Sequence, residues 1–297
     1  MKVNTILKRQ FILVLVLFAL PFGTIYGQED TKPVDKPIKN IFESIWVIDN
    51  QTVVVPFKGT FEFDIQHRFG TWDKGYDDFW GFFAPLNFRL GFNYVPVKKL
   101  QLGFGFSKEN LLWDFNAKYA LLEQSRSGSK PLSITYLVNV AIDTRDLEKT
   151  IYNKGGDRFS YFHQLMFARK FNSKLSLQVA GNLVHFNFVD ATLDDDNNVI
   201  VKRENNHFSI SSLGRFKLGE GTSIIANIDI PITDHNIDPP QTNISFGLEF
   251  VTSAHAFQVF VGNYKSIVPQ YNQFYNLNSF GDNNILIGFN MTRLWNF

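Results

Sequence analysis

The chain has 297 residues and a formal net charge of +1, with Lys, Arg, Asp and Glu mixed along its length, so it lacks the basic surface through which nucleic-acid binders work. It contains no cysteine, which excludes disulfides, thiolate metal sites, cysteine nucleophiles and a lipid-modified N-terminal cysteine. Aromatic residues make up 16% of the chain, with 32 Phe, yet the average hydropathy is near neutral, a combination that suits strands with one apolar and one polar face.

Lys2, Lys8 and Arg9 precede an apolar run over residues 11–22 (FILVLVLFALPF) and a short polar exit over 24–27, the pattern of a secretory signal peptide (1–27) cleaved after Gly27. The run is shorter than the roughly 20 residues that span a bilayer as a helix, and no later segment reaches that length. A mature chain that enters a membrane must then do so as a closed β-barrel, because only helices and closed barrels satisfy every backbone group in lipid. Residues 28–57 read as a periplasmic lead-in. Within it, 28–39 (QEDTKPVDKPIK) is polar and broken by Pro33 and Pro37, while 41–55 is more apolar and fits a short helix, a periplasmic strand or part of a lumen plug.

From residue 58 onward, apolar and polar positions alternate in segments of about ten residues, the period of a β-strand. Phe61, Phe63, Ile65 and Phe69 oppose Glu62, Asp64, Gln66 and Arg68; Leu86, Phe88, Leu90, Phe92 and Tyr94 oppose Asn87, Arg89, Gly91 and Asn93. Leu100, Leu102, Phe104 and Phe106 oppose Gln101, Gly103, Gly105 and Ser107, and Trp113, Phe115, Ala117 and Tyr119 oppose Asp114, Asn116 and Lys118. Residues 132–140, 159–171, 174–188, 207–217, 223–230, 243–251, 256–263 and 284–297 complete a set of about twelve strands. In 174–188 the apolar set changes face beyond Leu183, to Val184, Phe186 and Phe188, which predicts a β-bulge near Leu183.

Membrane barrels of this kind alternate long extracellular loops with short periplasmic turns. Starting from the periplasm, the long stretches 71–84, 143–156, 190–206, 231–241 and 264–283 all fall on odd-numbered connections, and the short ones 95–97, 172–173, 219–222 and 252–255 on even-numbered ones. The third connection (108–110) is too short for this rule and the fourth (122–130) too long. A soluble barrel with an apolar interior shows the same alternation by eye, but not the loop asymmetry. Trp72, Tyr76, Phe79, Trp80, Phe82 and Phe83 gather around the first long connection, as expected of an interfacial girdle. The chain ends in Phe297 on an alternating strand interrupted by Arg293, as outer-membrane assembly signals do.

The stretches 59–70 (GTFEFDIQHRFG), 80–82 (WGF), 159–177 (FSYFHQLMFARKFNSKLSL), 255–263 (HAFQVFVGN) and 288–293 (GFNMTR) resemble a domain-of-unknown-function family of Bacteroidota described as membrane-bound β-barrels. The resemblance runs from about Ile41 to the end. It implies placement in the outer membrane of a Gram-negative bacterium and brings no catalytic residues with it.

Glu62, Asp64, Arg68, Arg89, Asp114, Lys118, Arg215, Asp229 and Glu249 are the candidate lumen-lining charges; paired they would close the interior, unpaired they would bias ion passage. His207 and Ser209 share a strand face, resembling the His-x-Ser pair of outer-membrane phospholipase A, although the Asn-Gly context after the serine is missing. His67 points with the apolar set as an interfacial histidine, and His163, His185 and His255 are scattered without metal-ligand spacing. Residues 194–198 (DDDNN) read as a solvated acidic loop that lacks the glycine and glutamate of a calcium loop. Gly103 and Gly105 relieve crowding on the lumen side.

The expectation is therefore an all-β fold, a transmembrane antiparallel up-and-down β-barrel over residues 58–297 with both termini periplasmic. It takes no cofactor or metal. Its partners are outer-membrane lipids, the barrel-assembly machinery during insertion and small solutes. The expected role is a non-enzymatic narrow channel or a structural, surface-binding barrel; the alternative is a lipid-acting enzyme of the lipase or esterase type.

Overall fold

The computed structural model describes residues 35–146, 152, 154–196 and 198–297. The expected signal peptide (1–27) and most of the polar lead-in lie outside the described residues.

A short hairpin, β1 (Trp46–Val47) and β2 (Asn50–Gln51), comes first. The wall follows as β3 (Thr60–Thr71), β4 (Asn87–Val97), β5 (Leu100–Ser107), β6 (Leu112–Leu122), β7 (Ser133–Asp143), β8 (Phe159–Lys170) and β9 (Leu175–Phe186). A small hairpin, β10 (Ala191–Leu193) and β11 (Val199–Lys202), stands in the next connection. The wall resumes with β12 (Asn206–Gly219), β13 (Thr222–Pro231), β14 (Asn243–Val251), β15 (His255–Gly262) and β16 (Leu286–Asn296). Each wall strand pairs antiparallel with the next, β9 with β12, and β16 closes on β3, so twelve strands form a closed barrel without an edge.

Along these strands buried and partly exposed residues alternate, and the buried set is the polar one. On β3, Thr60, Glu62, Asp64, Gln66 and Arg68 are buried while Phe61, Phe63, Ile65, His67 and Phe69 face outward. A soluble barrel would bury the phenylalanines. A polar interior behind an apolar outer wall is the arrangement that lipid imposes. Arg293, which interrupts the outer face of β16, lies over the ring of Trp295 at 4.7 Å.

The predicted bulge near Leu183 is absent. Pairing runs without a break from Asn206↔His185 to Phe216↔Leu175 on one side of β9, and equally on the other. Val184 and Phe186 turn inward because they meet the aromatic side chains of a helix, α1 (Pro269–Tyr275), carried by the long β15–β16 connection: Phe186 packs on Phe274 at 4.7 Å and on Tyr271 at 5.1 Å. The face does not slip there; the interior it meets becomes apolar.

The fourth connection is long because it receives the incoming N-terminal segment. Pro37 bridges Ser125, the Ile38 amide donates to the Gln124 carbonyl at 2.7 Å, and Lys170 Nζ donates to the Lys39 and Asn40 carbonyls. The short third connection turns tightly through Asn110 and Leu111 with positive φ.

A barrel closed in this way resists detergent until heated. Unboiled protein should run ahead of boiled protein on a denaturing gel, and identical mobilities would contradict the closed wall.

Candidate functional site

Charged side chains from many strands converge in the interior of the barrel. All nine candidate charges, Glu62, Asp64, Arg68, Arg89, Asp114, Lys118, Arg215, Asp229 and Glu249, are buried there.

Register explains the tightest cluster. Asp64, Gly91, Gly105 and Asp114 form one cross-strand row over β3, β4, β5 and β6. Arg89, two residues along β4 from Gly91, lays its guanidinium over the two glycines and bridges the carboxylates at the ends of the row. Nε and Nη2 donate to the two oxygens of Asp114 at 2.8 and 2.9 Å, and Nη1 donates to Asp64 at 3.0 Å. A β-carbon on Gly91 would collide with the Asp64 carboxylate, and one on Gly105 with the Arg89 guanidinium. The glycines are therefore the floor on which a bidentate Arg–carboxylate pair is built. Asn139 and Asn93 donate to the remaining acceptor positions of Asp114 and Asp64.

The other charges find partners along the chain that enters the lumen. Residues 41–53 are mostly buried and run inside the barrel through β1 and β2. The Ile48 amide donates to Gln258 at 3.0 Å and the Val53 amide to Gln178 at 2.8 Å, while Gln258, Gln178 and Asn290 donate back to the Trp46, Gln51 and Ile48 carbonyls. Lys118 donates to the Thr52 carbonyl, Arg215 pairs with Glu43 at 2.9 Å and with Glu249 at 3.4 Å, and Trp46 lies under Arg89. Asn50 donates to Asp229 at 2.9 Å, and Asp229 also accepts from Ser211 at 2.5 Å. Arg68 donates to Asn290 and lies over the Phe260 ring at 4.5 Å.

At the hairpin tip, Asp49 accepts from Asn227 at 3.1 Å, from the Tyr264 hydroxyl at 2.6 Å and from Asn272 of α1. The plug therefore touches both the wall and the long β15–β16 connection. That connection is held in turn by Arg203, which donates to the Ile237, Phe274 and Asp238 carbonyls and stacks on Phe274 and Tyr275. Beside it His235, in the β13–β14 connection, is held below the usual imidazole range by burial and then by the Arg203 charge. Between plug and wall a void of about 10 Å³ remains, bounded by Trp46, Asp49, Arg89, Asp114 and Asn139, close to the space of one water molecule.

The remaining candidates do not assemble chemistry. Ser209 and His207 both face inward, but the Ser209 hydroxyl donates to Gln273 at 2.6 Å and His207 contacts His235 at 3.0 Å, so the pair does not form a nucleophile and its base. Asp194 closes the tip of the β10–β11 hairpin by accepting from the Asp196 and Asn198 amides. Among the described residues no group of three or more His, Asp or Glu side chains is placed to hold a metal ion. His67 faces outward, stacked on Phe289 at 5.0 Å. Sequence reasoning did not single out Asp49, Asn50, Gln178 and Gln258, whose importance comes from contacts 125 to 223 residues away in the chain.

A closed wall, apolar outside and polar inside, defines a membrane-bound β-barrel. The chain belongs to the family described as membrane bound beta barrel domain (DUF5777), whose model matches residues 42–295. No curated protein matches the sequence. Among solved structures it is similar to an outer membrane channel from Pseudomonas putida F1, with 13% identity over 82% of this chain and 97% of that one and a TM-score of 0.50, a likeness of fold. Lower scores are given by the NanC porin (6% identity, 80% and 99% coverage, TM-score 0.48) and the P. putida toluene transporter TodX (9%, 82% and 91%, 0.39).

Arg89→Ala should lower barrel stability by about 3–5 kcal/mol, because Asp64 and Asp114 stay buried without their cation. Gly105→Ala should cost about 1–3 kcal/mol by pushing the guanidinium off its seat. Urea unfolding of protein inserted in vesicles measures both; a Gly105→Ala barrel as stable as the parent would show that Arg89 does not need that space.

Proposed function

We propose that the protein is a non-enzymatic barrel of the outer membrane, delivered by a cleaved signal peptide, and that it works as a channel for small solutes held closed by its own residues 41–54. The observation that carries this reading is the segment 41–54 itself, seated in the lumen and bound to the wall largely through side-chain amides. A permanently closed structural barrel gains more from an apolar filling than from buried ion pairs. Here the wall behind the plug keeps Glu62, Lys118, Arg215 and Glu249, groups that water would solvate once the plug moved aside. The plug is joined to the wall covalently only through residues 55–59, so it can leave the lumen without the barrel opening. The lipid-acting enzyme gains no support from Ser209, whose hydroxyl is committed to Gln273.

Planar-bilayer recording tests the reading. The intact protein should show rare or no conductance steps, and a variant lacking residues 41–54 should show frequent ones. Steady large conductance of the intact protein would sink the plug, and a folded, heat-modifiable deletion variant that stays silent would sink the channel.

The described parts of the long connections after β3, β7, β9, β13 and β15 all leave the wall at the rim opposite residues 36–40 and Phe297, which supports a periplasmic position for both termini. Because the chain has no native cysteine, Asp195→Cys offers a single thiol. It should react with a membrane-impermeant maleimide on intact cells, whereas Lys58→Cys should react only after the outer membrane is permeabilised. The reverse pattern would invert the orientation.

A further inference from the structure

The outer wall carries a feature that neither the plug nor the channel reading uses. Gly181 faces outward in the middle of β9, where a β-carbon would meet nothing within 4 Å. Its cross-strand neighbours are Leu165 of β8 and Ile210 of β12. With Leu183, Phe208 and Ile232 they border a notch of about 360 Å³ in the outer wall. That volume lies within the range of about 300–1,000 Å³ of small-ligand sites.

The lipid-facing wall is also polar beside this notch, where polar groups are disfavoured. Tyr136 of β7, paired with Leu165, reaches His163 of β8, with its hydroxyl 2.6 Å from Nδ1. The tautomer in which Tyr136 donates to Nδ1 carries its proton on Nε2, a donor for an oxygen acceptor. One outward row closer to the strand ends, Tyr161 pairs with His185, and His185 Nδ1 contacts Asn206 at 2.7 Å. Three successive outward rows thus read polar rim, single imidazole, apolar notch. At two residues per row the rim and the notch are about 13 Å apart.

We propose that this strip binds one ester-linked membrane lipid, its headgroup at Tyr161, His185 and Asn206, an ester carbonyl on His163 Nε2, and an acyl chain in the notch over Gly181. A lipid chain is the occupant that fits: a second barrel would meet this convex wall along a line and leave a one-residue notch empty, whereas a flexible hydrocarbon chain fills it. The assignment requires only that the wall stand in a membrane, and is independent of whether the lumen conducts.

Native mass spectrometry of the purified full-length barrel, titrated in micelles with dioleoyl phosphatidylethanolamine or with hexadecane, tests the site. The parent should hold one phospholipid. Gly181→Leu, which fills open space, should weaken both probes at least tenfold. His163→Phe should weaken the phospholipid about fivefold, the loss of one hydrogen bond, and leave hexadecane unchanged. Heat-modifiable migration checks that each variant is folded. A parent without bound phospholipid, a Gly181→Leu barrel that binds as well as the parent, or a His163→Phe change equal for both probes would overturn the proposal. So would a parent dimer that Gly181→Leu dissociates, since the notch would then be a protein contact.

Discussion

A barrel wall in lipid has to turn its polar side chains inward, and in a narrow barrel those side chains then compete with one another for hydrogen-bond partners. The rest of this structure follows from that constraint. Twelve strands bring many amides, carboxylates and guanidinium groups to the interior, more than the wall can pair internally. Residues 41–53 supply the missing donors and acceptors as a strip of backbone. Gln178 and Gln258 illustrate it, each accepting a plug amide and donating to a plug carbonyl, as a neighbouring β-strand would.

The interior is not uniform. Toward β3, β4, β5 and β6 it is charged, organised by Arg89 over its two glycines; toward β7, β8, β9 and β12 amides and hydroxyls alternate with an apolar cluster, in which Leu137, Phe162, Met166, Val184 and Leu213 join residues of the plug and α1. On the charged side the bidentate guanidinium fixes the mutual orientation of Arg89 and Asp114. Asp49, at the plug tip, links the wall to the β15–β16 connection, so movement of either element is felt by the other.

Much of the wall was legible in the sequence because alternation is local. Each residue of β3 declares its face by its own chemistry, and the period of two carries through to β16. What failed was local reading of a non-local cause. Val184 and Phe186 change polarity because α1, about 85 residues further on, fills the lumen in front of them, and a bulge was the only explanation available within the strand. The fate of 41–55 stayed open for the same reason: Asn50 meets Asp229 across 179 residues, and nothing near Asn50 announces that partner. The charges on the inner face could be named from alternation, but their pairing depends on register. The two glycines that seat Arg89 acquire their meaning only when Gly91 and Gly105 are seen to be cross-strand neighbours.

The closure of β16 on β3 has a consequence for the order of assembly. Phe297 donates to the Gly59 carbonyl, so the last residue of the chain is fastened beside the stretch through which the plug leaves the lumen. The plug's contacts with β13, β15 and β16 cannot form until the last third of the chain has been laid into the wall, and the seam is itself the pairing with the greatest sequence separation. Sealing the cylinder and seating its contents are thus late steps at one location, and a chain delayed there would be a nearly complete sheet with an open edge and an empty centre.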